Sequence, residues 1–124
     1  MNILYAGTPN PSAKILKALC DNPSINVVGV LTKPDKAQKR GNKLVQSPVS
    51  IEAQNRNLNI FKPYDLNALK LKQSIEALSV DFVVVAAYGK ILPKWLLDLP
   101  KIMPINIHYS LLPKYRGASP IQSS

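Results

Sequence analysis

Residues 80–87 read VDFVVVAA, and this stretch decides the fold. Its β-branched residues favour an extended backbone. Apolar side chains at successive positions leave no polar face for water, so the strand is a buried one. Working outward from it, Ala68, Leu71, Ile75 and Leu78 recur at helical spacing on the upstream side, with Lys70, Lys72 and Gln73 off the stripe. Downstream, LPKWLLDL (92–99) reads as a short helix leading into another strand near 103–108.

The same alternation runs back to the N-terminus. Residues 2–6 (NILYA) form a first strand, closed by GTPNP. In NPSAKILKALCD, Asn10 is placed to cap a helix whose first residue is Pro11, and Ile15, Leu16, Leu19 and Cys20 share one face. Residues 25–31 (INVVGVL) are apolar almost throughout, as expected when both faces of a parallel sheet are covered. Ser47 and Pro48 then read as cap and first residue of a helix through about Arg56, and LNIF (58–61) as a short third strand. The expected fold class is α/β, an open, doubly wound, mostly parallel sheet of Rossmann-like type. At the C-terminus, Ser119 and Pro120 again read as a helix start, with only IQSS following. One turn does not make a stable helix, so the sheet is expected to be cut short and residues 1–124 to be the front part of a longer protein.

The chain's only histidine, His108, stands two residues after Asn106 in INIHYSLLP (105–113). On a strand these two side chains share a face, roughly 7 Å apart, while Ile105 and Ile107 face the packing side. In open parallel sheets ligands sit beyond the carboxyl ends of strands, where this pair falls. An amide N–H and an imidazole suit stabilisation of a developing oxyanion in acyl-type transfer to an external amine, the amine being its own nucleophile. The plainer alternative is a hydrogen-bonded core histidine beside a polar strand-end residue. Ser110 has no second histidine to act as its base, and one His and one Cys far apart do not make a metal set.

INIHYSLLPKYRGASPIQ (105–122) resembles the signature of 10-formyltetrahydrofolate-dependent formyltransferases. LYAGTP (4–9), KPDKAQKRGNKL (33–44), SPV (47–49) and AAYGKILP (86–93) resemble the methionyl-tRNA formyltransferase branch in particular. The resemblance implies transfer of a formyl group from 10-formyltetrahydrofolate to the α-amine of initiator methionyl-tRNA in translation initiation, by a monomer. Asn106 and His108 match the family's catalytic Asn and His. Ser110, Leu111, Leu112 and Pro113 match its folate-contacting turn, and Tyr88, Gly89, Ile91 and Leu92 the backbone edge near the pterin. Two departures stand out. Tyr109 occupies a position that is usually small, where it either narrows the mouth of the folate cleft or, as alternation favours, points outward, away from His108; Met103 and Pro104 replace a common Gly-Cys. The family's catalytic Asp and its C-terminal tRNA-binding β-barrel lie beyond Ser124, so residues 1–124, as an incomplete N-terminal catalytic domain, are expected to be inactive alone.

Residues 32–48 make a connection longer than the usual few residues. Lys33, Lys36, Lys39, Arg40 and Lys43 face one acid there, Asp35. A solvated loop and a phosphate-contacting loop are both compatible with that charge; the resemblance implies contact with the tRNA acceptor arm, with Arg40 matching the family's arginine. Over the whole chain 16 basic residues oppose 7 acids, a formal charge of +9, which draws polyanions without choosing among them. The alternatives are a UDP-sugar or glycinamide ribonucleotide formyltransferase of the same superfamily, and a non-catalytic RNA-binding module. No apolar run is long enough to cross a bilayer, and the single Cys20 with no basic leader points to the cytoplasm.

Overall fold

The computed structural model describes residues 1–37, 41, 43–109 and the backbone of 119–120. In chain order the elements are β1 (Asn2–Gly7), α1 (Asn10–Cys20), β2 (Asn26–Leu31), β3 (Lys36–Ala37), β4 (Leu44–Val45), α2 (Pro48–Asn55) and β5 (Ile60–Phe61). They continue with α3 (Leu69–Glu76), β6 (Phe82–Ala86), α4 (Lys94–Leu97), β7 (Met103–Asn106) and β8 (Ser119–Pro120). The main sheet runs β5-β2-β1-β6-β7-β8. All its pairings are parallel except β7 with β8. The order grows from β1 in both directions, so this is the open, doubly wound, mostly parallel sheet that the sequence implies.

Alternation along β1 sorts the core into two layers. Ile3 and Tyr5 face a cluster with Ala13 and Leu16 of α1 and Val49 and Ala53 of α2. Leu4 and Ala6 face the opposite cluster with Ile75 of α3, Leu96 of α4, Val83 and Tyr88. Leu16 and Ile75 are fully buried, and each such side chain contributes roughly 1.5–3 kcal/mol of burial free energy.

Among the helices described, only α2 starts on a side-chain cap. Ser47 caps α2, its Oγ accepting from Ser50 N at 2.9 Å, with Pro48 as first helical residue. In α1 the cap position is Pro9, and Asn10 already lies inside the helix without a side-chain cap. The extended backbone that proline favours before a helix displaces the expected asparagine cap by one residue.

The sequence reading is corrected at two further places. Within residues 32–48, Lys36–Ala37 and Leu44–Val45 pair as a short antiparallel hairpin, which two-residue strands cannot announce by periodicity. Ser119 and Pro120 do not begin a helix; they lie antiparallel to β7, Ser119 opposite Asn106 and Pro120 opposite Ile105. A proline at a sheet edge needs no partner for its missing N–H.

Candidate active site

The sheet's strand order reverses between β1 and β6, and at such a switch point the carboxyl ends of neighbouring strands splay into a crevice. Here the two strand ends are tied together. Thr8 Oγ1–H donates to Tyr88 O at 2.7 Å, and Ser12 Oγ–H donates to Ala86 O. The backbone turns through Ala87 (φ 54°) between those acceptors and through Gly89 (φ 97°) just after the second, both left-handed. A Cβ on Gly89 would stand 2.6 Å from Lys33 Cε, so the Lys33 stem passes over the glycine where any side chain would obstruct it.

Asn106 ends β7 opposite Val85 of β6, and Ile107 N donates to Val85 O at 2.7 Å as the chain leaves the sheet. Strand geometry therefore stops at Asn106. The next two residues bring His108 back, so that Asn106 Nδ2 and His108 Nε2 are 2.8 Å apart rather than separated by a strand repeat. An amide nitrogen can only donate, so Nε2 accepts and the imidazole proton resides on Nδ1. His108 is exposed and Asn106 half-buried, which places the pair open to solvent at the sheet's carboxyl edge.

The other sequence-derived candidates divide. Tyr88 is a core residue, 1 % exposed; burial pushes its phenol up to about 12, and its hydroxyl has no hydrogen-bond partner among the described residues. Gly89 and Ile91 are exposed, and Leu92 packs half-buried against the α3/α4 cluster. Ser110, Leu111, Leu112 and Pro113 lie outside the described residues, as do Lys39 and Arg40.

Tyr109 does not point outward. It packs against the α1/α2 cluster, and its hydroxyl lies 2.8 Å from Ser12 Oγ. It does leave the sheet on the opposite side from His108's partner, but the aromatic ring finds apolar surface there and not water. Ser12 is itself fully buried, and its carbonyl accepts from Tyr5 Oη at 2.7 Å. Burial pushes the Tyr5 phenol up, the Ser12 bond opposing that in part. Neither Thr8 nor Ser12 was legible as a site residue, because each acts through a carbonyl more than seventy positions away.

Among the described residues, Lys33, Lys36 and Lys43 do not converge on Asn106 and His108. Lys33 and Lys36 line a cavity of about 200 Å³ with Thr8, Val45 and Ser47, on the β1/β2 side of the switch point. Lys43 is exposed. Asp35 is turned away and paired with Lys62 at 2.8 Å.

Residues 1–124 match the family described as Formyl transferase. Among solved structures, phosphoribosylglycinamide formyltransferase from Bacillus halodurans is similar at 20% identity and a TM-score of 0.60, over 94% of this chain and 60% of its own. Glycinamide ribonucleotide transformylase 1 from Symbiobacterium toebii is similar at 19% and 0.61, over 92% of this chain and 54% of its own. A sugar N-formyltransferase from a Shewanella species is similar at 19% and 0.51, over 91% and 41%. The chain thus spans about half to three fifths of the length of the first two. These matches overturn the expected partner, initiator methionyl-tRNA: the first structures matched are named for glycinamide ribonucleotide, a small molecule. The basic loop misled because excess positive charge attracts any polyanion and encodes no particular acceptor. No helix among the described residues is long and apolar enough to cross a membrane.

Proposed function

Because the chain belongs to the Formyl transferase family, we propose that its site transfers a formyl group from a folate-type donor, 10-formyltetrahydrofolate, to the primary amine of a small acceptor of the glycinamide ribonucleotide kind. Residues 1–124 are its catalytic-domain portion, and Asn106 and His108 are the groups that act on the reacting atoms. The observation that carries this reading is the 2.8 Å contact between Asn106 Nδ2 and His108 Nε2 at a solvent-open strand end.

The donor set suits a formyl carbonyl. When bound, the donor supplies an activated formyl carbon on nitrogen. Asn106 has two amide protons, of which His108 takes one; the other is assigned to the formyl oxygen, where negative charge grows as the amine adds. A fixed donor at such an oxygen is typically worth about 3–4 kcal/mol of barrier. His108 carries its proton on Nδ1; its Nε2, by exchanging Asn106 for the attacking amine, can take the proton that the amine loses and that ends on the departing donor nitrogen. The named relatives support the choice of a small acceptor. A cytoplasmic setting belongs to the same reading, supported by a single Cys20 with no second thiol in the sequence.

The test mixes the purified protein with 10-formyltetrahydrofolate and glycinamide ribonucleotide and follows tetrahydrofolate release. His108→Ala and Asn106→Ala are each expected to lower kcat by about 10²-fold. A His108→Ala variant that retains the parent rate refutes the assignment. Turnover of a UDP-amino sugar with none of glycinamide ribonucleotide would move the acceptor to the sugar branch.

A further inference from the structure

We infer that Tyr109 is a positioning residue: its hydroxyl anchors the end of β7 to the first turn of α1 and so fixes the orientation in which His108 receives Asn106. This rests on the reading of Asn106 and His108 as the reacting pair. The inference follows from counting protons. Ser12 Oγ has one hydrogen, and Ala86 O can only accept, so that hydrogen is committed to the carbonyl. In the 2.8 Å contact between Ser12 Oγ and Tyr109 Oη the tyrosine must therefore donate. The result is a one-way relay, Tyr109 O–H to Ser12 Oγ, Ser12 O–H to Ala86 O, ending on the last residue of β6. Only a hydroxyl at position 109 can start it.

The relay matters because of what precedes it. The sheet's hold on the backbone ends with Ile107 N donating to Val85 O. His108 comes next and is exposed; among the described residues its ring has one hydrogen bond, to Asn106. With Ile107 fixed on one side and the Tyr109 ring set in the α1/α2 cluster on the other, residue 108 is held at both neighbours, and its side chain has little backbone freedom left to turn away. Ser12 supplies the far anchor from a fully buried position at the start of α1, where its carbonyl is also engaged by Tyr5. The relay therefore ties together three strands and a helix, while no part of it reaches the reacting atoms.

His108 is the only histidine in the sequence, so ring nitrogens labelled through ¹⁵N-histidine report on it alone. In the parent protein Nδ1 should carry the proton and Nε2 should show the shift of a hydrogen-bonded acceptor. Tyr109→Phe keeps the ring in its packing and removes only the donor. It should lower the ratio of the Nδ1–H to the Nε2–H tautomer about five-fold, the ratio one net hydrogen bond sets, toward the value in Asn106→Ala, with backbone amide dispersion unchanged. Ser12→Ala, which removes the acceptor instead, should reach the same ring spectrum. In turnover Tyr109→Phe should cut kcat about ten-fold and leave the donor KM in place. Ring spectra of Tyr109→Phe that coincide with the parent overturn the inference, as does a parent protein in which Nε2 carries the proton. If the tautomer shifts as stated but neither Tyr109→Phe nor His108→Ala alters formyl transfer, the positioning stands and the catalytic assignment of the pair fails.

Discussion

Replacing Tyr88 with Phe should stabilise this protein. The Tyr88 side chain is 1 % exposed, and its phenolic oxygen meets no partner among the described residues, so folding strips water from a hydroxyl and returns nothing. Leaving such a group unpaired costs about 1–3 kcal/mol. Phenylalanine keeps the ring in the cluster that holds Leu96, Val83 and Leu31 and removes only the oxygen. The expected gain is about 1 kcal/mol or slightly more; in a chain of 124 residues that raises the thermal midpoint by roughly 4 °C. Urea unfolding should show the gain as a higher midpoint with an unaltered slope.

A second readout separates this cause from generic repacking. Burial raises the Tyr88 phenol to about 12 in the folded protein, above its unfolded value of about 10. Between those values the unfolded chain has released a proton that the folded chain still holds, so parent stability is complete below about pH 10 and falls as pH rises through 12. Tyr88→Phe has no such proton, and Tyr5 titrates in both proteins and cancels. The variant's advantage should therefore widen by up to roughly 3 kcal/mol across that window. A variant equal to or less stable than the parent at pH 7 refutes the reasoning, because it means that the hydroxyl is satisfied in solution. An advantage that stays flat through pH 12 refutes the titration argument alone.

Ser47→Ala should cost about 1–2 kcal/mol by urea unfolding, since Ser47 Oγ both accepts from Ser50 N and shares a 2.7 Å bond with the buried Thr32 hydroxyl. Ser47→Asp, which can still accept, should recover part of the loss. Gly89→Ala should destabilise by about 1–2 kcal/mol, because an L-residue is forced into left-handed backbone; the flexible Lys33 stem can yield, so a larger loss would mean that the Lys33 position is itself structural.

The parts of this fold that were legible in sequence are those where local chemistry and tertiary demand agree. VDFVVVAA is β6 because its side chains must be buried on both layers, and Ser47–Pro48 starts α2 because a capping oxygen and a residue without N–H suit that position. The same dipeptide at 119–120 shows the limit. Nothing local distinguishes it from 47–48, yet the open edge of β7 recruits it as a strand. The spacing of Asn106 and His108 correctly put both at one strand end, but strand alternation gave the wrong separation, since the ladder ends at Asn106 and the chain turns. Tyr109 was misjudged for a related reason. Alternation indicated the side on which it leaves the sheet, whereas its partner, Ser12, is 97 positions away and leaves no periodic trace. The positive charge of residues 33–43 was legible as charge, and charge alone does not specify an acceptor.

The electrostatics of the molecule are arranged in a way that bears on how the site works. The ion pairs among the described residues lie away from that site: Arg56 with Glu52 and Asp21, Lys94 with Asp98, and Lys62 with Asp35. Around the switch point the bonds among the described residues are between neutral groups, with Thr8, Ser12, Tyr5 and Tyr109 all engaged. Neutral hydrogen bonds are little screened by salt, while exposed pairs weaken within a Debye length. The framework that holds Asn106 and His108 should thus keep its geometry as ionic strength rises, even as the peripheral pairs loosen. Among the described residues it also leaves the amide and the imidazole as groups at the β7 end with hydrogen-bonding capacity to spare. In the proposed reaction a formyl oxygen gaining charge there would meet a donor set in place beforehand, and that prior placement is the contribution assigned to Asn106 and His108.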